Sequence, residues 1–492
     1  VSVKANLNKL NDTTGSVAKV GSNGTSGSAS ITLVGGSASK ADALITAIVA
    51  AAVVGASMDV GQLNVYADVN AYANADIHVP STSLDLFNAS VIETAANTAG
   101  SYSATVDSTG QRAGQVLRAA SLDIKVTYYA TSFAATGPAG GLSASVASAS
   151  LNKATAQTGL SATALLAGSG SVDVTGIANV QVFGHAKSNA LGRTYSLSIS
   201  GVKLTVNWTS ATLNATQRAN VKNTGAMTIG GTLKINSEFV KDGSGYGEAT
   251  ATTGGAGGGT SVSILSASTN VARAIVAAMI YAGITNEPGD MPGLLQAGSI
   301  DIDATVDTKS TATAKAAYEV SIATIGNLDA TAIIYSTVEA YIQRALVEVS
   351  GNVSVNSSST ATASASSDSP GGVGLAVASN AKARTFIGMP TSANLNSDDQ
   401  SGITDLLGQK PQTASAYVDA ATVTAGGNIT IKAYNTGYAS SEVKKATTVG
   451  LATISNSIIP TFSEYYTKVQ VLNGSTLDAT GNISITAEDY TR

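Results

Sequence analysis

Carboxylates are the residues of this chain whose types and spacing come nearest to chemistry. Asp301, Asp303 and Asp307 alternate with apolar residues, so in an extended strand they share one face. Carboxylates in a row suit acid and base work on a polysaccharide, but that chemistry needs groups converging on one groove, and no basic cluster accompanies them in the sequence. A second set, Asp398, Asp399 and Asp405, lies among Asn394, Asn396 and Ser397. Oxygen-rich loops of this kind hold calcium, which takes about six to eight oxygen ligands. Asp398 and Asp399 are therefore the expected calcium site, set against a plain solvated loop, because the Gly-Gly-x-Gly-x-Asp nonapeptide of calcium-binding β-rolls is absent. His78 and His185 stand far apart in the chain, and His78 falls on the polar side of its run, where it reads as exposed filler. Zero cysteines remove disulfides, thiolate metal sites and cysteine nucleophiles together. Ser is so abundant that no Ser-His-Asp combination is singled out. The expectation is a protein without catalysis and without a cofactor other than that calcium.

The elements that would carry these residues are repetitive. A Gly or small residue followed by a strictly alternating strand returns nine times, most clearly at Gly427-Asn428-Ile429-Thr430-Ile431 and Gly481-Asn482-Ile483-Ser484-Ile485. Looser copies start at Gly351, Gly298, Gly231, Gly170, Ser121 and Gly61, and Val1-Ser2-Val3 is a truncated one. Eight intervals averaging about 60 residues signal a repeat architecture. From Leu63 to Val79 every second residue is apolar, and the even positions of Ile300 to Val320 repeat the pattern, with Asp301, Asp303, Asp307, Lys309, Lys315 and Glu319 opposite. Period two means a strand with one buried and one wet face. The inward residues shrink to Ala, Ser and Gly along each run, which predicts a thin, flat core.

These observations predict an all-β, elongated repeat protein: a parallel β-solenoid with long Ala-rich strands, or alternatively a row of stacked two-sheet β-sandwich modules. Residues 1–492 read as one continuous array of about eight repeats, with loop excursions at 78–100, 285–296 and 388–415. Five of the eight prolines fall in those excursions, and Leu84-Asp85-Leu86-Phe87 and Ile403 to Leu407 read as short helices within them. Loops leaving a rigid body are where binding function usually sits. The apolar stretch Ala43 to Met58 is too short for a membrane span and reads as a buried strand pair.

Composition narrows the partners. Charged residues make up only 12% of the chain and the net charge is −5, which gives no electrostatic case for nucleic acid. Hydrophobic residues at 43%, in alternating order, argue against disorder. Tyr outnumbers Phe and Trp, and Tyr66 and Tyr72 share a wet face, as do Tyr434 and Tyr438; they read as glycan contacts, lateral contacts between filaments, or a simple shield for a half-exposed sheet. Ten Asn-x-Ser/Thr sequons occur, Asn88 and Asn207 among them, and three of them (Asn352, Asn428, Asn482) follow the recurring Gly, where a stacked Asn ladder is expected.

The phrase Ala416 to Ala433, followed by Val449-Gly450-Leu451-Ala452-Thr453-Ile454, resembles the repeats of giant bacterial leukotoxin-like filamentous adhesins, and more distantly filamentous-haemagglutinin-type solenoids. Ala381 to Gly388 fits the same pattern, and the resemblance covers residues 345–492 best. It implies an extracellular or cell-surface β-solenoid, a structural segment of a bacterial filament or adhesin stalk, and carries over no catalytic residue. The expected partners are other copies, end to end or laterally, and a host or cell-surface glycan or protein, with no nucleic acid and no membrane span. The chain starts and stops within repeat strands, which reads as a slice of a longer array or as a self-polymerising subunit joined through its terminal strands. The remaining reading is a polysaccharide-acting β-helix enzyme or toxin segment.

Overall fold

The computed structural model describes residues 1–7, 18–25, 28–78, 81–108, 111, 115–136, 142–193, 197–239, 247–254, 260–316, 318–369, 372–390, 408, 410–445 and 449–491. The chain winds between two sheets, one pass in each per turn. Met58–His78 lies in the first sheet, Ser81–Asp107 in the second, Val116–Thr136 in the first, Leu142–Gly168 in the second, and so on to Ile483–Thr491. Among the described residues the first sheet has 15 strands, the second has 13, and every strand pairing is parallel. The pairings run from coil to coil without a break, so this is a parallel β-solenoid and not a row of separate sandwich modules.

The alternation explains the core. Leu63, Val65, Ala67, Val69, Ala71, Ala73, Ala75 and Ile77 are all buried between the sheets. Later coils repeat this with Ile300, Ile302, Ala304 and Val306, and with Ile429, Ile431 and Ala433. Each coil donates one apolar face that it cannot bury alone; stacking joins these faces into one core along the axis. Nine passes of the first sheet at about 4.8 Å advance roughly 38 Å, whereas a 21-residue pass such as Met58–His78 spans about 70 Å. The solenoid is elongated across its coil and flat.

Corners are built from special residues. Arg344, Ala420 and Asn473 stack at one turn from the second sheet to the first, and all three have positive φ (49°, 49° and 51°). At the next corner Asn352 Oδ1 accepts the backbone N–H of Asn428 at 2.8 Å, and Asn428 Oδ1 accepts that of Asn482 at 2.7 Å. The expected Asn ladder is present, and it explains the Gly before Asn428 and before Asn482. A Cβ on Gly427 would lie 2.3 Å from Asn352 Oδ1, and one on Gly481 would lie 2.4 Å from Asn428 Oδ1.

Several expectations need correction. The excursion placed at 78–100 is instead part of the second sheet: Ser81–Asp107 is one 27-residue strand, and Leu84 to Phe87 are extended in it, not helical. Pro80 and the local apolar cluster misled, because pairing with Ser28–Val54 and Leu142–Gly168 overrides local pattern. Ala43 to Val54 form one half of a single strand, Ser28–Val54, and alternate residues Leu44, Ile48 and Val54 are exposed rather than buried. The run Ile300 to Val320 turns a corner after Lys315, so that Tyr318 is exposed and Glu319, expected on the wet face, is 4% exposed. Residues 286–293 do form a loop between strands. The excursion at 388–415 leaves and rejoins the body at an antiparallel bridge from Met389 to Lys410, and its return is strand from Gln412 onward.

Candidate functional site

Asp398, Asp399 and Asp405, with Ile403 to Leu407, lie outside the described residues. Among the described residues no three His, Asp or Glu side chains group closely enough to hold a metal ion.

The carboxylate row of the first sheet is where period two placed it. Asp301 and Asp303 share a face of Leu294–Lys315, and Lys234 of the adjacent coil pairs directly with Asp301. Burial, then the Asp303 charge beside it, pushes the Asp301 carboxyl up, and Lys234 draws it back. Asn356 donates to Asp303 Oδ1 at 2.9 Å. Asp301 and Asp303 are thus each answered by a neighbouring coil, the arrangement of a cross-strand ladder on a flat face. Lys309 likewise approaches Glu248 at 3.6 Å. These basic partners sit about 60 residues away in sequence, so only the coil register reveals them.

The histidines do not meet. His185 is buried and its ring lies 5.5 Å from that of Tyr129, its register partner. His78 ends its strand and pairs with Thr25. Tyr66 donates to Asp123 Oδ2 at 2.5 Å and lies under Lys4, while the rings of Tyr434 and Tyr490, from adjacent coils, meet at 5.6 Å with a 43° tilt. These tyrosines thus contact charged or aromatic partners of the adjacent coil.

A polar seam that the sequence did not suggest runs along the inside of the second sheet near its strand starts. Ser200, Ser263 and Ser321 form one register column, and Lys203, Ser266 and Thr324 the next. Within each strand the two columns are three residues apart, yet Ser263 and Ser266 are both buried while Ile264 and Leu265 between them are exposed. That parity break marks a bend, and strand pairing skips one residue there in successive coils: Ser145 pairs Ser200 and Ala147 pairs Val202, then Ser200 pairs Ser263 and Val202 pairs Leu265. Polar groups line the inside of the bend. Ser200, Ser261 and Ser263 hydroxyls and Glu319 Oε2 are buried with no hydrogen-bond partner. Burial pushes the Glu319 carboxyl up, partly offset by the Ser266 hydroxyl and then by Lys203, and pulls the Lys203 ammonium down, partly offset by Glu319.

Further along the same strands, Asn152 Nδ2 donates to Asn207 Oδ1 at 2.8 Å and Asn207 Nδ2 to Asn270 Oδ1 at 2.6 Å. Asn207, a sequon by sequence, is 2% exposed in this second ladder.

No known relative informs the site. Comparison of the chain with protein-family models, curated proteins and solved structures finds no match. What these groups do is therefore argued from their chemistry. The ladders satisfy buried donors and acceptors coil by coil, and the seam offers hydroxyls, one carboxyl and one amine to hydrogen-bonding partners such as water.

Proposed function

We propose that this chain is a structural segment of a secreted or surface-displayed bacterial filament or adhesin stalk. The observation that supports this reading best is the parallel ladder that runs from Ser2–Leu7 to Ile483–Thr491 through every coil. A body in which each coil is held by its neighbours resists local deformation and transmits load along its axis, which is what a stalk needs. Low charge, the absence of cysteine and the resemblance of residues 345–492 to adhesin repeats accord with display outside the cell. The flat faces, with their paired charges and cross-coil tyrosine contacts, serve as walls, and the excursions carry any contact with a glycan or protein partner.

Immunogold electron microscopy of intact source cells, with antibody raised against the purified chain, tests this. Label on filaments at the cell surface is the expected result. Label confined to the cell interior, or release of reducing ends when the chain is incubated with polysaccharides, would overturn it.

A further inference from the structure

The outer side of the bend in the second sheet is apolar in every coil. Outward residues there include Val34, then Leu86, Phe87 and Val91, and Val146 and Leu151. The next coils show Ile199, Val202 and Leu204, then Val262, Ile264 and Leu265, then Ile322 and Ile325. Val373 and Leu375, and finally Val449, Leu451 and Ile454, complete eight coils. The last four of these coils bound an open groove of about 570 Å³ lined by Val320, Ile322, Val373, Leu375, Val449 and Leu451. Polarity is inverted on these strands, since the serines of the seam point in and the branched aliphatics point out. The column of the band farthest from the bend is apolar in the earlier coils, at Val91, Leu151 and Val206, and polar in the later ones, at Thr269, Asn327 and Asn380. The columns nearer the bend are apolar throughout, and apolar surface of this size marks an interaction surface.

The band has a border. One register column edges it: Lys40 pairs Glu93, Glu93 pairs Lys153, Lys153 pairs Trp208, Trp208 pairs Val271, Val271 pairs Asp329, and Asp329 pairs Lys382. From the bend to this column the outward described residues carry no charge.

We infer that the band is a lateral interface with a second copy of this chain, packed face to face and antiparallel about a two-fold axis along the strands. Three observations favour this occupant. A band about seven residues wide and eight coils long covers roughly 23 by 34 Å, or about 800 Å² per copy, the area that a standard stable interface buries on each side. The band repeats with the coil spacing, so a second copy presents the same ridges and hollows at the same period, as an isologous interface requires. The border then decides the direction. With the axis between Leu197–Asn223 and Thr260–Thr285, Glu93 of one copy faces Lys382 of the other, and Lys153 faces Asp329. Each facing pair is of opposite sign, whereas a two-fold along the solenoid axis would carry the two border columns to opposite sides of the band and leave these charges without partners in the other copy.

Analytical ultracentrifugation of the purified chain at micromolar concentration tests this, with circular dichroism as the check on folding. The wild-type chain sediments as a dimer. The double variant Ile264→Asp/Ile322→Asp alters only exposed side chains and sediments as a monomer with an unchanged spectrum. Glu93→Lys weakens the dimer about tenfold, and adding Lys382→Glu restores it. A monomeric wild-type chain, including one that instead binds lipid vesicles, would overturn the inference. So would a dimer that survives the two aspartates, or a charge exchange that fails to restore affinity. The charge exchange remains decisive even where the aspartate variant does not fold. The inference rests on the fold and not on surface display, so a monomeric chain on the cell surface would remove the pairing and leave the proposed function standing.

Discussion

At the scale of single residues, the solenoid is held by groups whose partners come from the next coil. Gly427 shows the logic, because the space its side chain would fill is occupied by an Asn oxygen one coil away. Arg384 shows it with charge: it is fully buried on the outer side of the second sheet, donates from Nε to Thr331 Oγ1 at 3.2 Å, and pairs with Asp329. Glu319 is the exception, a carboxyl in the polar seam whose Oε2 has no partner. Burial raises its folded value above the ordinary 4.5, and the Ser266 hydroxyl and Lys203 offset only part of that. In the window between those two values the folded state holds more protons than the unfolded state. Stability therefore falls as pH rises through the window and stays lower above it. Glu319→Gln removes that loss. The expected result is a thermal midpoint above that of the wild type at neutral pH, with less decline from mildly acid to neutral conditions. Circular dichroism melts across that range check it, and a variant less stable than the wild type at neutral pH would mean that the Ser266 hydrogen bond and the Lys203 attraction together outweigh burial.

At the scale of strands, buried polar ladders fix register where small side chains do not. A period-two strand of Ala, Ser and Thr tolerates a slip, since one residue is much like the next. The Asn152–Asn207–Asn270 column removes that freedom, because a slip would leave buried amides unpaired. Asn207→Ala orphans Asn152 Nδ2 and Asn270 Oδ1 together, at a cost of about 2 kcal/mol. A lower urea midpoint would register it; a midpoint unchanged from wild type would mean that water replaces the amide. The first Asn ladder was legible in sequence because Gly-Asn recurs in the same local phrase. The second was not, because Asn152, Asn207 and Asn270 share no flanking pattern and unequal coil lengths separate them. The same difference explains the strands. Leu63 to Ile77 could be read outright from alternation, whereas Ser81–Asp107 was missed because its bend shifts the parity of Leu86 and Phe87 and imitates a helical cluster.

At the scale of the whole molecule, stability is a sum over coils and their interfaces, so the coil is the unit that can be removed. Register defines its boundaries. Ser171–Val174 pairs Val116 to Ala119 on one side and Ala226 to Ile229 on the other, and Leu142–Gly168 and Thr260–Thr285 both pair Leu197–Asn223. Deleting residues 171–225 joins Gly170 to Ala226 and brings each flanking strand against one that already matches its pairing partner. Buried Leu117 and Ala119 then meet Met227 and Ile229 in place of Val172 and Val174, apolar for apolar. The shortened chain is expected to fold, with a strand-type circular dichroism spectrum and one cooperative melt. Deleting residues 197–223 alone removes one pass of the second sheet and strips about half the cover from Ala178–Gly192, leaving Val180 and Val182 under Leu142–Gly168 only. That chain is expected to aggregate or to lose its cooperative melt. If both deletions fold equally well, the half-coil would be an independent unit, and the two-sheet interior would not be what holds the coils together. If neither folds, the nearest-neighbour account fails, and a contact spanning more than one coil must carry the fold.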